Sequence, residues 1–189
     1  HRGQFRAHSR AALRMNQEPH HFKTIRWHRW DYGDSGAYFI TICAHNRECL
    51  FGEIVGGEMQ LNSFGELVCE EWFRSAEIRA EITLDEMIVM PNHLHAIVGI
   101  RNEVPGVNDK EIHRGSRDRS PRSVSTFIAQ FKATTTRRIN EMRPRRERVW
   151  QPRFNDRIIR NEQALSLARK YIADNVFNWE HDKNNPNRP

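Results

Sequence analysis

MPNHLH, residues 90–95, lies within an otherwise apolar run that predicts two neighbouring β-strands over residues 84–90 and 93–100. Successive side chains of a strand point to opposite faces of its sheet. We therefore expect His93 and His95 side by side on one face, with Leu94 directed into a core on the other. Two imidazoles on one face can share a divalent ion, although such a pair needs a third ligand. On spacing alone the alternative stays open that these histidines only fill polar positions at a strand end.

A candidate third ligand lies far downstream, in the segment 161–176, whose pattern is typical of a helix. Asn161 is a favourable N-cap, and neither glycine nor proline interrupts the segment. Tyr171 and Asn175 are four residues apart, so we expect them on one helix face. An Asn amide oxygen is a hard metal ligand, and a Tyr hydroxyl next to it is a candidate nucleophile. The alternative is that Tyr171 is an amphipathic tyrosine at the edge of the core, the usual role of this residue.

The other segments predict an α+β fold. Helical spacing of apolar residues predicts one helix that opens at a capping-box pattern, Ser63-Phe64-Gly65-Glu66, and another over 123–142. Further strand patterns occur at 38–44, in a hairpin over 50–61, and at 154–159. Residues 101–122 are polar and aperiodic, so we expect a mobile loop there. Strands on both sides of a helix, with a central strand pair, fit an α+β sandwich on an antiparallel sheet.

Three motifs together, GAYFITICAHNR, MPNHLH and YIADN, resemble the REP-associated tyrosine transposases of the HUH single-strand transposase superfamily. The resemblance runs from about residue 25 to residue 179. It implies that His93 and His95 bind a metal ion, that Asn175 completes the metal site and that Tyr171 is the nucleophile. It also implies a ferredoxin-like, RNA-recognition-motif-like fold, in which helices pack mainly on one face of the sheet and the catalytic Tyr lies on a C-terminal helix.

The function implied by this resemblance is metal-dependent cleavage and rejoining of single-stranded or hairpin DNA, at palindromic repeats, through a covalent phosphotyrosine intermediate. Two imidazoles and one amide suit Mg²⁺ or Mn²⁺, although two histidines also suit Zn²⁺. The chain departs from the family pattern at Val176, where a proline is frequent, and at Asn155, where a second aromatic residue is frequent. Neither departure falls on a site residue.

Length and composition favour a single domain. The chain has 189 residues, of which 38% are hydrophobic and 29% charged, and no apolar run approaches the length of a membrane span. Its three cysteines form no CxxC pair, which favours a reducing compartment. We expect a basic, disordered segment over 1–24, the transposase domain over 25–179 and a tail over 180–189. The expected protein is bacterial, cytoplasmic and nucleoid-associated, and is a monomer or homodimer.

The net charge of +6 is unevenly distributed. Residues 137–160 carry nine arginines against three acidic residues, and residues 1–30 are also basic, whereas residues 31–136 are acidic on balance. Such a division suggests a polyanion bound at defined places. Exposed aromatic rings among arginines suit single-stranded DNA, although for aromatic residues such as Trp150 the alternative is a place in the core. The candidate DNA-binding residues are Arg145, Arg146, Arg148, Trp150, Arg153 and Arg157.

Two further hypotheses belong to other classes. One is a domesticated, non-catalytic protein that binds single-stranded nucleic acid on the same fold. The presence of both Tyr171 and Asn175 argues against it, because a binding module needs neither. The other is a zinc-dependent hydrolase that uses His93 and His95, but the sequence around them has no acidic base of the His-Glu-x-x-His kind.

Overall fold

The structure is a computed structural model that describes residues 35–101 and 123–188. The expected disordered segment 1–24 and nearly all of the expected loop 101–122 lie outside the described residues. The strands are β1 (Ser35–Cys43), β2 (Gly52–Val55), β3 (Glu58–Leu61), β4 (Ile82–Met90), β5 (His93–Arg101) and β6 (Asn155–Ile159). The helices are α1 (Ser63–Glu77), α2 (Val124–Glu141) and α3 (Glu162–Ala173).

Four of the strands form one antiparallel sheet in the order β4-β5-β1-β6, and β2 and β3 form a separate hairpin. β1 and β5 pair without interruption from Ser35↔Arg101 to Cys43↔His93. An antiparallel ladder alternates the two faces strictly, so this register determines which side chains share a face. The predicted α+β fold with an antiparallel sheet is confirmed.

One face of the sheet is mainly apolar and is covered by α1 and α2. Its strands contribute alternate residues, among them Ile40, Leu94 and Val98, which are almost fully buried. Three aromatic rings of the helices meet edge to face, because Trp72 lies 5.2 Å from Phe127 and 5.0 Å from Phe131 between ring centroids. Such T-shaped contacts add to the stabilisation from apolar burial. This face is the main core of the protein.

The opposite face is covered by α3. Leu165 and Ile172 are the helix's buried residues, and they pack in a small cluster with Ala37, Ile97 and Ile159 of the sheet. A charged pair adds a second attachment, since the Arg169 guanidinium binds both carboxylate oxygens of Asp85 on β4. Two of the three helices in the described part of the chain therefore pack on one face, and the third holds the face that carries the histidines.

The first turns of the helices show which side chains cap them. Asn62, not Ser63, caps α1, because its side-chain oxygen accepts hydrogen bonds from the backbone N–H groups of Phe64 (3.0 Å) and Gly65 (3.1 Å). The capping-box prediction was thus one residue late. Gly65 is required by packing, since a Cβ there would lie 2.2 Å from the backbone oxygen of Phe51. Asn161 caps α3 as predicted, accepting from the N–H of Ala164 at 2.8 Å.

In the described ranges, no helix combines the length and the apolar character that crossing a bilayer requires.

Candidate metal centre and nucleophile

The two histidines stand at the start of β5 on the face covered by α3. His93 and His95 are both buried, and their ring centroids lie 4.5 Å apart. Leu94 between them is fully buried in the main core on the other face. The predicted division of these three residues between the faces is confirmed.

Each imidazole uses one ring nitrogen for a contact within the protein. His93 Nδ1 lies 2.8 Å from the side-chain oxygen of Asn92, and His95 Nδ1 lies 2.9 Å from the hydroxyl of Thr41. The Asn92 amide group donates to the backbone oxygens of Arg47 and Asn184, so its oxygen is left to accept and His93 Nδ1 carries the proton. The other nitrogen, Nε2, is buried in both histidines and has no hydrogen-bond partner among the described residues.

Both histidines are neutral at physiological pH. Burial lowers the pKa of His93 and of His95 to about 3, in each case as the main cause. A neutral imidazole protonated on Nδ1 presents a lone pair on Nε2, which is the form that binds metal ions. Contact of Nδ1 with an oxygen atom is also the usual arrangement around metal-bound histidines.

Asn175 joins this cluster from the turn after α3. The helix ends at Ala173 and Asp174 is its C-cap, so the predicted helix to residue 176 was too long by three residues. Asn175 nevertheless lies beside the histidines and is 1% exposed. Its side chain raises the pKa of His93 and lowers that of Tyr171, which places it next to both groups. Its oxygen Oδ1 has no hydrogen bond of acceptable geometry, so it too is a buried acceptor without a partner in the described chain.

Tyr171 lies at the surface of the same cluster. Its ring centroid is 5.2 Å from that of His95 and 5.7 Å from that of Phe39, both edge to face, and the residue is 43% exposed. Burial is the main cause that raises the pKa of its hydroxyl, and the charge of Asp182 raises it further. The hydroxyl is therefore protonated at neutral pH, and the residue as a whole is partly exposed.

Asp182 is the site residue that the sequence analysis missed. It lies just after a 3-10 turn, Trp179–His181, and its carboxylate is buried against the histidines. Ligand atoms of His93, His95 and Asp182 all lie within 4.8 Å of one another. The chain between Asn175 and Asp182 carries no motif or periodicity that points to a ligand, so no sequence signal could have found it.

The donor set fits a divalent cation. Three buried acceptor atoms, on His93, His95 and Asn175, lack partners in the described residues. Buried polar atoms without partners are costly and uncommon in folded proteins. Two imidazole nitrogens, an amide oxygen and a nearby carboxylate make a combination that binds Mn²⁺, Mg²⁺ or Zn²⁺. The group can hold a metal ion, and these atoms do not determine which one.

The candidate DNA-binding residues are divided by burial. Arg145, Arg146, Arg148, Arg153 and Arg157 are exposed. Trp150 is only 5% exposed: its ring lies 4.8 Å from Phe51, and its Nε1 donates to the hydroxyl of Thr135. The prediction that Trp150 contacts DNA is wrong, because its ring faces are already occupied by the main core.

The segment 143–160, named here the arginine segment, lies next to the site through β6. Arg157 pairs with Phe39 across the ladder, so its side chain is on the same sheet face as His95. The Phe39 ring contacts both His95 (5.2 Å) and Tyr171. Arg157 is therefore one strand away from the cluster. Within the described chain, the six exposed arginines of this segment, Arg160 among them, have no acidic partner, whereas Arg143 pairs with Glu147.

Comparison with known proteins agrees with this architecture. No protein-family model matches the chain. An uncharacterized protein of Haemophilus influenzae is 33% identical over 177 residues, which cover 90% of this chain and 96% of the relative. The chain belongs to the same family as this Haemophilus protein.

Among solved structures, a REP-associated tyrosine transposase bound to a REP hairpin shares the fold. The match has a TM-score of 0.54 at 17% sequence identity, and covers 81% of this chain and 73% of that chain. The resemblance to the REP-associated tyrosine transposases is thereby confirmed at the level of the fold.

Proposed function

We propose that this protein is a metal-dependent enzyme that cuts and rejoins single-stranded or hairpin DNA through a covalent bond to Tyr171. One observation carries the proposal furthest. The buried, unpartnered acceptors of His93, His95 and Asn175 lie beside Tyr171, a tyrosine that is partly exposed to solvent. A binding module has no use for such an arrangement, whereas a nucleophile beside a metal site is what phosphodiester cleavage requires.

The histidines and Asn175 would hold the ion. Asn92 and Thr41 fix the ring orientations of His93 and His95, so both Nε2 atoms face the cluster without rearrangement. When bound, a divalent ion would polarise a non-bridging oxygen of the scissile phosphate. The rigid β1–β5 ladder keeps the histidine separation constant, which favours one position for that phosphate.

Tyr171 would supply the attacking oxygen. A new bond forms between its oxygen and phosphorus, the bond from phosphorus to one sugar oxygen breaks, and that sugar oxygen takes up a proton and leaves as a free hydroxyl. The phenol must first lose its own proton, which burial makes harder in the free protein. The phosphodiester bond energy is kept in the tyrosine ester, so a hydroxyl end of DNA can displace the tyrosine without any further energy source.

The exposed arginines would bind the phosphates that flank the site. Arg157 lies on the same sheet face as His95, and Arg145, Arg146, Arg148 and Arg153 extend this positive surface along the arginine segment. Three other arginines of residues 137–160 are paired with glutamates: Arg137, Arg138 and Arg143. The solved relative of this fold is bound to a REP hairpin, which supports hairpin DNA as the substrate class.

A gel assay with a matched pair of variants tests the proposal. End-labelled hairpin DNA with an unpaired flank is incubated with the protein and Mn²⁺ or Mg²⁺, and a denaturing gel resolves protein–DNA adducts. Tyr171→Phe removes one oxygen and keeps the ring, so folding and DNA affinity should persist while adduct and nicked product disappear. Tyr38→Phe is the control, because Tyr38 points to the opposite sheet face and should leave both products unchanged.

Other outcomes would assign this protein to a different functional class. Cutting by Tyr171→Phe at the wild-type rate would mean that a water molecule attacks, and the protein would be a hydrolytic nuclease. Tight hairpin binding by the wild type with no adduct and no nick, in either metal, would identify a non-catalytic binding protein.

A further inference from the structure

We propose that Asp182 is the anionic ligand of the metal centre and that it allows the protein to hold a divalent ion before DNA binds. The inference rests on the proposed metal role of the histidines. It adds a ligand, from a part of the chain that no motif covers, and an order of binding.

The position of the carboxylate suits this role. Asp182 Oδ2 lies 4.0 Å from His93 Nε2. Two ligands that bind one ion at about 2.1 Å each can be up to about 4.2 Å apart, so this separation already allows a shared ion. All three ligand atoms lie within 4.8 Å, so a small side-chain rotation would bring the set together.

The carboxylate also lacks a conventional partner. In the described ranges, neither a lysine nor an arginine forms an ion pair with Asp182, although the residue is only 8% exposed. The ring of His93 lies 4.0 Å away, and its Nδ1 is already engaged by the side chain of Asn92. An ionised carboxylate in such a place is costly unless a cation compensates it. A bound divalent ion supplies that compensation.

A chain of hydrogen bonds fixes the carboxylate relative to the histidines. Asp182 Oδ1 accepts from the backbone N–H of Asn184 (2.6 Å), and the backbone oxygen of Asn184 accepts from the Asn92 side chain (2.7 Å). Asn92 in turn holds His93 Nδ1. The ligands His93 and Asp182 are therefore positioned by the same two asparagines, Asn92 and Asn184. A second attachment joins the Arg47 side chain to the backbone oxygen of Lys183 (3.2 Å).

The charge of Asp182 decides the order of binding. Two imidazoles and an amide are neutral, so without Asp182 the first negative charge on the ion would come from a DNA phosphate, and the ion would be held weakly until then. With Asp182 the protein alone supplies one negative charge at bonding distance, where electrostatic attraction is strongest. Mixed nitrogen and carboxylate ligands also favour Mn²⁺ over Mg²⁺.

Mn²⁺ titration without DNA tests the inference. The signal of free Mn²⁺ in electron paramagnetic resonance gives the Kd directly, for the full chain and with no activity involved. Asp182→Asn keeps an oxygen that can accept from Asn184 and removes only the charge, so the Kd should rise about tenfold or more. Asp174→Asn is the matched control, because Asp174 is an exposed C-cap in the same region, and its Kd should stay within twofold of wild type.

Failure of the role of Asp182 and failure of the metal role of the histidines give different results. A Kd for Asp182→Asn within twofold of wild type would overturn the role of Asp182 while leaving the proposed function intact. An unchanged Kd for His95→Ala would instead remove the metal role of the histidines. If Asp182→Asn does not fold, anomalous diffraction from Mn²⁺-loaded wild-type crystals decides. An Asp182 oxygen bonded to the ion supports the inference, and an ion that His93 and His95 bind without Asp182 overturns it.

Discussion

Leu94 and His95 are neighbours in β5, both are almost fully buried, and they serve opposite faces of one sheet. Around Leu94 every neighbour in the cluster is apolar, from β1 and from the helices α1 and α2. Around His95 lie three polar or ionisable groups, Thr41, Tyr171 and His93, beside the apolar ring of Phe39. Equal burial therefore has two different consequences: one face supplies stability, and the other holds the Nε2 atoms of both histidines and Oδ1 of Asn175 away from water.

The second face has an energetic cost. Polar atoms that are buried without hydrogen bonds destabilise a fold by about 1–3 kcal/mol each. The cluster contains three such atoms, on His93, His95 and Asn175. The apolar face must offset this cost until a ligand binds, because α3 contributes only two buried side chains of its own.

The largest effect is expected at His95. His95→Ala removes one of the proposed metal-binding nitrogens, and cleavage of hairpin DNA should fall by about a thousandfold or more, since a bound ion would supply several kcal/mol of transition-state stabilisation. Thermal unfolding of the metal-free variant should be close to wild type, because an unpartnered polar atom is removed along with the ring. If His95→Ala still cleaved DNA in the presence of a chelator, the face that carries the histidines would not be a metal site, and this contrast with the apolar face would be wrong.

The matched substitution of Leu94, one residue earlier, should lower the stability of the fold and leave cleavage nearly unchanged. Leu94→Ala opens a cavity in the main core, which should cost about 2–5 kcal/mol of unfolding free energy in a urea titration. At temperatures where the variant is folded, its cleavage rate should stay within a few-fold of wild type. A loss of activity as large as that of His95→Ala, in protein shown to be folded, would mean that the two faces are not separable.

A smaller effect is expected outside both faces, on the arginine segment. Replacing Arg145, Arg146 and Arg148 by Ala should weaken hairpin binding about tenfold near physiological salt. It should also flatten the slope of log Kd against log salt, because fewer counterions are released. Gel-shift titrations at several salt concentrations measure both quantities. An unchanged slope would remove these residues from the DNA interface.

The face alternation could be predicted because it depends only on local geometry. A two-residue spacing on a strand places His93 and His95 together regardless of the rest of the fold, and the structure agrees. The position of Asn175 was predicted for a partly wrong reason. The helix stops two residues before it, yet a turn with a hydrogen bond from Asn175 N–H to Ile172 (3.2 Å) keeps it near the same face.

Residues placed by tertiary contacts could not be predicted. Asp182 reaches the histidines through two turns and the bridge made by Asn92, and none of these has a repeating pattern. Trp150 follows a run of arginines, which suggested a surface position. A single antiparallel bridge to Ala44 instead directs its ring into the core. The charge of a segment predicts whether the segment as a whole lies at the surface, and it does not predict the burial of each residue in that segment.

The alternation of β5 also bears on how such a gene decays. A single nucleotide change that replaces His93 or His95 removes the proposed chemistry and leaves every apolar contact of the opposite face in place, so the altered protein still folds and persists in the cell. Inserting one codon within β5 is different, since it exchanges the two faces and destroys core and site together. Descendants of this chain should therefore lose catalysis by substitution far more often than they lose the fold, and folded copies without the histidines are the expected relics.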